Sequence, residues 1–308
     1  MRVASIDIGT NTVLLLVAER DARGSLVAVR EEATITRLGE GVDVARTLKP
    51  EAISRTNECL TRYGAICREL GVERTAVVGT SAMRDAGGGD AVRAHVREVL
   101  GVEARTISGD EEARLTFRGA ISGMEGVTGD VVVFDIGGGS TEIVSARLGE
   151  SGGDPAWSKS FDIGSVRLTE RHVRSDPPEP SELEAMRTAV SDVLAAVPKL
   201  ARSGPPIGIA GTVTTLAAVS MGLSPYDGAK VHGFTMSRDL VAKVVRDLAA
   251  MPQAERRNVR GLEPKRADVI VAGGYVALGV LDALGAESMR ISDRGVRWGL
   301  AETLDAIT

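Results

Sequence analysis

Two short segments carry the residue types of a phosphate site at matching places. They are Ser5-Ile-Asp-Ile-Gly-Thr-Asn-Thr12 and Phe134-Asp-Ile-Gly-Gly-Gly-Ser-Thr-Glu142. Each reads as a buried strand ending in an acid, Asp7 or Asp135, followed by a Gly/Ser/Thr hairpin and a second strand. Gly9, Thr10, Asn11 and Thr12 in one turn, and Gly137, Gly138, Gly139, Ser140 and Thr141 in the other, offer backbone N–H groups and hydroxyls that can surround a phosphate. One Gly-rich hairpin is a common structural turn; its repetition argues for use. Two such turns facing each other would clamp a phosphate. Neither segment fits the P-loop or the dinucleotide fingerprint, because both of those open a helix.

Hydrolysis at such a clamp also needs a group to orient and deprotonate water. Ile107-Ser-Gly-Asp-Glu-Glu-Ala-Arg-Leu115 opens a helix that Ser108 or Asp110 could cap. An acidic first turn by itself answers the helix dipole. Glu112 is favoured as the base because Ala113, Thr116 and Gly119 give it small neighbours on a surface able to approach a ligand. Glu111 shares its face with Leu115 and Arg118, where an outward salt bridge is equally open. Thr80-Ser81-Ala82-Met83-Arg84-Asp85 brings hydroxyls and a guanidinium to another strand end, where Ser81 and Arg84 suit a distal phosphate. Ile209-Ala210-Gly211-Thr212 is a strand running into a helix, so Gly211 and Thr212 could contact phosphate or ribose.

The elements that must position these groups recur in one order. Residues 2–8, 12–18 and 25–33 read as an antiparallel meander. Helix 50–70, strand 75–79, helix 89–100, strand 103–107 and helix 110–122 follow. Strands 130–136, 140–147 and about 156–162 restart the series. Helices near 180–202, 212–221, 237–250 and 264–284, with strands at 207–210 and 288–292, complete it. Three strands before helices, given twice, predict a duplicated α/β chain with an interdomain cleft: a first domain over 1–125 and a second over 126–308. The terminal helix, about 294–308, is free to pack back on the first domain. Loops at 151–155, 175–180 and 203–206 read as surface connections.

Composition narrows the function. With 308 residues, 43% hydrophobic and 26% charged, the chain can bury a large core. A net charge of −5 gives no global basic field for nucleic acid or anionic membrane, and 3% aromatics are too sparse for base stacking. His95, His172 and His232 lack the spacing of a metal pair. Cys59 and Cys67 on one helix read as reduced core thiols. With no apolar run of spanning length and a strand starting right after Met1-Arg2, the expectation is a cytoplasmic protein.

Taken together these motifs resemble the Ppx/GppA group, the exopolyphosphatases and guanosine pentaphosphate phosphatases of the actin/sugar-kinase/Hsp70 superfamily. The resemblance runs nearly full length. It adds Arg37-Leu-Gly-Glu-Gly41, Gly79-Thr-Ser-Ala-Met-Arg84, Gly164-Ser-Val-Arg-Leu168, Lys265-Arg-Ala-Asp268 and Gly295-Val-Arg-Trp-Gly299 to the segments above. It implies two ribonuclease-H-like domains of the actin-like ATPase type and Mg²⁺, with Mn²⁺ as an alternative. Asp7, Asp135 and Glu142 would hold the metal and its waters, and Glu112, or in the less favoured register Glu111, would be the general base. The implied substrates are inorganic polyphosphate or pppGpp, and the implied assembly is a homodimer. The chain stops near residue 308, as in the short two-domain exopolyphosphatases, which sets an expectation of shorter polyphosphate chains. Arg37, Arg84, Arg167, Lys265, Arg266, Arg294 and Arg297 could line the track. A superfamily ATP-dependent kinase and a non-catalytic polyphosphate or alarmone sensor are the competing classes; a sensor would not need the base.

Overall fold

The computed structural model describes residues 1–22, 24, 26–148 and 155–305, so most of the Gly-rich loop expected at 151–155 lies outside the described residues. The chain divides into two units, Met1–Gly119 with the C-terminal segment that begins at Val296, and Ala120–Gly295.

In the first unit β1 (Arg2–Ile8), β2 (Thr12–Arg20) and β3 (Leu26–Ile35) form the antiparallel meander, and β4 (Arg74–Gly79) and β5 (Ala104–Thr106) add parallel to β1. The order across the sheet is β3-β2-β1-β4-β5. Strand alternation divides β1 between two faces. Ala4, Ile6 and Ile8 pack with Leu60 and Tyr63 of the Pro50–Glu69 helix and with Val92 and Val96 of the Gly89–Leu100 helix. Val3 faces the other way, onto Trp298 and Ala301 of the Val296–Asp305 helix. On that second face Val78 of β4 packs with Leu115 of the Gly109–Ile121 helix. Asp7 lies in register with Val78, so it shares the face that carries the Glu112 helix. Cys59 and Cys67 are buried free thiols on the Pro50–Glu69 helix.

In the second unit β6 (Gly129–Ile136), β7 (Thr141–Leu148) and β8 (Pro155–Phe161) repeat the meander. Then β9 (Ile207–Ile209) and β11 (Ser288–Ile291) run parallel to β6, and β10 (Thr235–Ser237) closes the edge antiparallel to β11. The order β8-β7-β6-β9-β11 matches that of the first sheet, with β10 as an addition. Val132, Phe134, Ile136 and Ile143 face a core built from the Pro180–Leu194, Ala210–Ser220, Arg238–Ala249 and Ile270–Leu284 helices. Asp135 and Glu142 alternate to the opposite face.

Several boundaries differ from the sequence expectations. The helix expected to 202 ends at Leu194, because Pro198 restricts the residue before it to extended backbone. The helix expected from 264 is a single 3₁₀ turn, Pro264–Arg266, followed by a separate helix from Ile270. Ser165–His172 and Ser81–Asp85 form short helices that pattern alone does not reveal. The domain boundary read at 125/126 falls at Gly119/Ala120. The cause is hydrogen bonding: Ser292 Oγ donates to Ala120 O at 3.0 Å, and Arg294 Nη1 donates to Ser122 O at 2.9 Å. Both bonds tie residues 120–122 to the second sheet's end. The terminal helix belongs to the first unit, where Ser5 Oγ donates to Arg297 O and Trp298 Nε1 donates to Glu31 Oε1. No helix among the described residues is long and apolar enough to cross a membrane.

Candidate active site

The two turns share one hydrogen-bond pattern. Gly9 N–H donates to Thr12 O at 3.1 Å, and Gly137 N–H donates to Ser140 O at 3.0 Å. Register confirms the equivalence, since Asp7 pairs with Leu14 across β1–β2 and Asp135 pairs with Glu142 across β6–β7. Gly9 and Gly137 therefore spend their N–H groups closing the turns. A Cβ at either would crowd the accepting carbonyl, at 2.9 Å from Thr12 O and 3.1 Å from Ser140 O. A side chain is excluded at Gly9 unless the turn shifts, and at Gly137 it would press on the turn's own carbonyl.

Each turn is braced from behind by a segment of its own unit. Thr10 O accepts from Gly39 N–H, and Asn11 O accepts from Thr36 and Arg37 N–H. Arg37 takes a left-handed conformation, φ 53°, to make this approach. In the second unit Gly137 O accepts from Ser165 N–H, while Gly138 O accepts from Val166 and Arg167 N–H. The Arg37–Gly39 and Gly164–Arg167 motifs thus hold the turns in shape. Inside the first turn the Asn11 side chain is 6% exposed, and both Oδ1 and Nδ2 lack a hydrogen-bond partner. A buried amide left unsatisfied costs about 1–3 kcal/mol, so its retention points to a ligand that completes it.

The hydroxyls divide by task. Thr141 Oγ1 donates to Ile163 O at 2.7 Å, and Thr212 Oγ1 donates to Ile136 O at 3.2 Å. Ser81 Oγ donates to Asp85 Oδ2 at 3.0 Å. These three expected phosphate donors have committed their protons to local structure: a strand end, a strand-to-helix junction and one helical turn. Gly211 lies under Arg266, whose guanidinium a Cβ at 211 would strike, and burial pushes the Arg266 pKa down. Thr10 and Asn11 in the first turn, and Gly138 and Gly139 in the second, lie between the residues whose bonds close the turns.

The two neighbouring acids of the Gly109–Ile121 helix separate sharply. Ser108 Oγ caps the helix by accepting from Glu111 N–H at 3.1 Å. The Glu111 carboxylate turns outward to Arg105, Nη2 to Oε1 at 2.9 Å, so the outward pairing open in the sequence is realised with Arg105. Glu112 is 6% exposed and accepts from Arg84 Nη1 at 3.0 Å. The same Arg84 nitrogen donates to Ile107 O at 3.1 Å, tying guanidinium, strand end and acid together. Thr116, one turn further along the Glu112 face, is fully buried with no partner for its hydroxyl.

Among the described residues no group of three or more His, Cys, Asp or Glu side chains that could hold a metal ion gathers at one point. Asp135 and Glu142 do form a pair. Directly opposite on antiparallel strands, they project from one face and are 8% and 1% exposed. Two buried carboxylates suit Mg²⁺, which keeps much of its water and takes one or two protein carboxylates beside substrate phosphate. Ser160 on β8 donates to Glu142 Oε1 at 2.7 Å. Sequence reading passed over this serine because the Gly-rich β7–β8 connection marks a turn without fixing which residues of the two strands pair.

Two units that share one strand order, each with an Asp-led Gly/Ser/Thr turn between its first two strands, define a duplicated ribonuclease-H-like α/β fold. The model of the Ppx/GppA phosphatase family matches residues 16–304, and the chain belongs to that family. It is similar to "Exopolyphosphatase 2" of Mycobacterium tuberculosis, 39% identical with 98% of each chain covered. A solved exopolyphosphatase-like protein superposes with a TM-score of 0.91 at 31% identity, covering 98% of this chain and 97% of that one. The Aquifex aeolicus family member superposes with a TM-score of 0.82 at 32% identity, covering 100% and 99%.

Proposed function

We propose that the protein is an exopolyphosphatase that hydrolyses the terminal phosphoanhydride bond of inorganic polyphosphate, with a divalent cation as cofactor. The observation that carries the reading is the selective burial of Glu112: of two adjacent acids, one is half-buried in an ion pair with Arg105 and the other is buried beside Arg84. Nearly full-length similarity to a protein named exopolyphosphatase supports the same substrate class.

In the reaction proposed, Glu112 accepts a proton from a water as that water attacks the terminal phosphorus in line. The P–O bond to the bridging oxygen breaks, orthophosphate leaves, and the shortened chain carries the electron pair on its new terminal oxygen. Arg84 and the N–H groups at the tips of the turns hold the phosphoryl oxygens. Asp135 and Glu142 would hold Mg²⁺, or Mn²⁺, which when bound neutralises phosphate charge and stabilises the leaving oxygen. Asp7, on the Glu112 face of the first sheet, would order the metal's waters. Gly9, Gly137, Thr141 and Thr212 act by keeping the turns and strand ends in shape.

The reading carries with it a cytoplasmic location and a homodimer; sedimentation of the purified chain tests the dimer. The decisive experiment compares phosphate release from short polyphosphate, long polyphosphate, pppGpp and ATP in Mg²⁺ by the natural chain and by Glu112→Ala. Release from polyphosphate that is lost in the variant is expected. Release that survives the substitution removes Glu112 as the base. Preference for pppGpp would transfer the activity to the guanosine pentaphosphate reading, and tight polyphosphate binding without turnover would make the protein a sensor.

A further inference from the structure

The duplication supplies an internal comparison. In the first unit the strand-end acid begins a row of register partners that runs Asp7, Leu14, Ala33 across β1, β2 and β3. In the second unit the equivalent row runs Asp135, Glu142, Ser160 across β6, β7 and β8. The turns and their closing bonds are alike, and the difference lies in the row: where the first repeat has an apolar residue and an alanine, the second has an acid and a hydroxyl. The two polar residues occur together. The Ser160 hydroxyl reaches Glu142 Oε1 at 2.7 Å, a short, charge-assisted bond to a carboxylate that is 1% exposed.

We propose that Ser160 is a positioning residue for Glu142, fixing the carboxylate's rotamer so that the Asp135–Glu142 pair presents its oxygens to a divalent cation. The inference rests on the proposed role of that pair. Its physical basis is the cost of disorder in a ligand: a glutamate has three rotatable bonds, and a hydrogen bond to one oxygen selects one arrangement before the cation arrives. Partners of this kind are worth about 10–100-fold in metal affinity. Serine is a poor strand former relative to the Val, Ile and Thr that favour β structure, so sheet propensity does not explain its place on an edge strand. Phe161, the next residue, points to the opposite face and joins the core.

The test is Mn²⁺ binding to the full chain, read from the loss of the free-ion electron paramagnetic resonance signal, with thermal melting as a check of fold. Ser160→Ala is expected to weaken Mn²⁺ binding about tenfold or more without a matching drop in melting temperature. Ser160→Thr, which keeps the hydroxyl on a better strand former, is expected to bind within about twofold of the natural chain. Glu142→Gln serves as the reference for loss of the ligand itself. If Glu142→Gln loses Mn²⁺ while Ser160→Ala binds as the natural chain does, the positioning role is overturned and the acid pair stands. Loss in Ser160→Thr equal to that in Ser160→Ala also overturns it, because the hydroxyl would then not be the operative group. If Glu142→Gln and Asp135→Asn both bind like the natural chain, the cation role of the pair itself has failed, and the inference with it.

Discussion

Arg84 Nη1 lies 3.0 Å from Glu112 Oε2, so the proposed base is paired with a cation that is itself suited to hold phosphate. The guanidinium is a quarter exposed while the acid is nearly buried, and Ile107 O anchors the same nitrogen. An arriving phosphate chain competes for this guanidinium with the carboxylate. Glu112→Gln, nearly isosteric but without a basic oxygen, is therefore expected to lower kcat about 10²–10⁴-fold with little change in KM. Arg84→Ala should raise KM and lower kcat together. Because the two act as a unit, the double variant should lose little beyond the more damaging single change. Steady-state kinetics on a defined short polyphosphate reads all three, and additive losses would separate the pair into independent contributors.

Asn11 presents the opposite arrangement, a side chain with its polar atoms unsatisfied and its backbone oxygen doubly engaged. Truncation leaves the bracing bonds to Thr36 and Arg37 untouched and removes only the buried amide. Asn11→Ala should thus melt at or above the temperature of the natural chain while KM for polyphosphate rises about tenfold, the scale of one lost hydrogen bond to a charged group. A drop in melting temperature with unchanged KM would assign Asn11 to the architecture of the turn.

What the sequence made legible follows from what is local. Asp7 and Asp135 announced their turns because an acid, a glycine and hydroxyls stand next to one another in the chain. The duplication was readable because three strands before helices recurs. Ser160 was not legible as part of the site, and the Arg37 and Gly164 segments were legible as motifs but not as braces of the turns, since these act through register and through backbone carbonyls. For Thr141 and Thr212 the sequence did not show where each hydroxyl donates, which is to Ile163 O and Ile136 O. The choice between Glu111 and Glu112 turned on helix phase, which places one beside Arg105 and the other beside Arg84.

Thr116 carries a stability prediction. Thr56, Thr169 and Thr214 each return their hydroxyl to the carbonyl four residues back, whereas the fully buried Thr116 hydroxyl has no partner. Valine keeps the shape and removes the unsatisfied group. Thr116→Val should raise the unfolding free energy in urea by about 1–3 kcal/mol, the cost of a buried polar group left unpaired. Destabilisation would show that the hydroxyl is bonded in solution.

The two thiols are predicted to be silent. Burial pushes Cys59 up and Cys67 up to about 11, so neither forms thiolate near neutral pH. Ellman's reagent should label neither in the folded chain and both after denaturation in guanidinium. Labelling of the native protein at a rate typical of a free thiol would contradict their burial.

His232 and His172 are predicted to lower stability in acid before the carboxylates do. His232 accepts at Nδ1 from Asp293 N–H at 3.3 Å, which requires the neutral ring. Burial pushes its pKa below 6.5, the Arg294 and Arg290 charges push the same way, and the Gly123 carbonyl and Asp293 oppose them. His172 is lowered as well, by burial and by Arg171 and Arg174. A base whose folded pKa is depressed binds its proton more readily in the unfolded chain, so stability is full above about 6.5 and declines as pH falls below it. Glu40 is lowered chiefly by its hydrogen bond from Lys49, against partial desolvation, and loses its contribution only below about 4.5, in a separate window. Urea unfolding between pH 7 and pH 5 should therefore show a declining free energy. His232→Asn keeps an acceptor for Asp293 N–H and cannot titrate, so its slope over that interval should be shallower than that of the natural chain. An equal slope in the variant would place the acid sensitivity elsewhere, with His172→Asn as the next measurement.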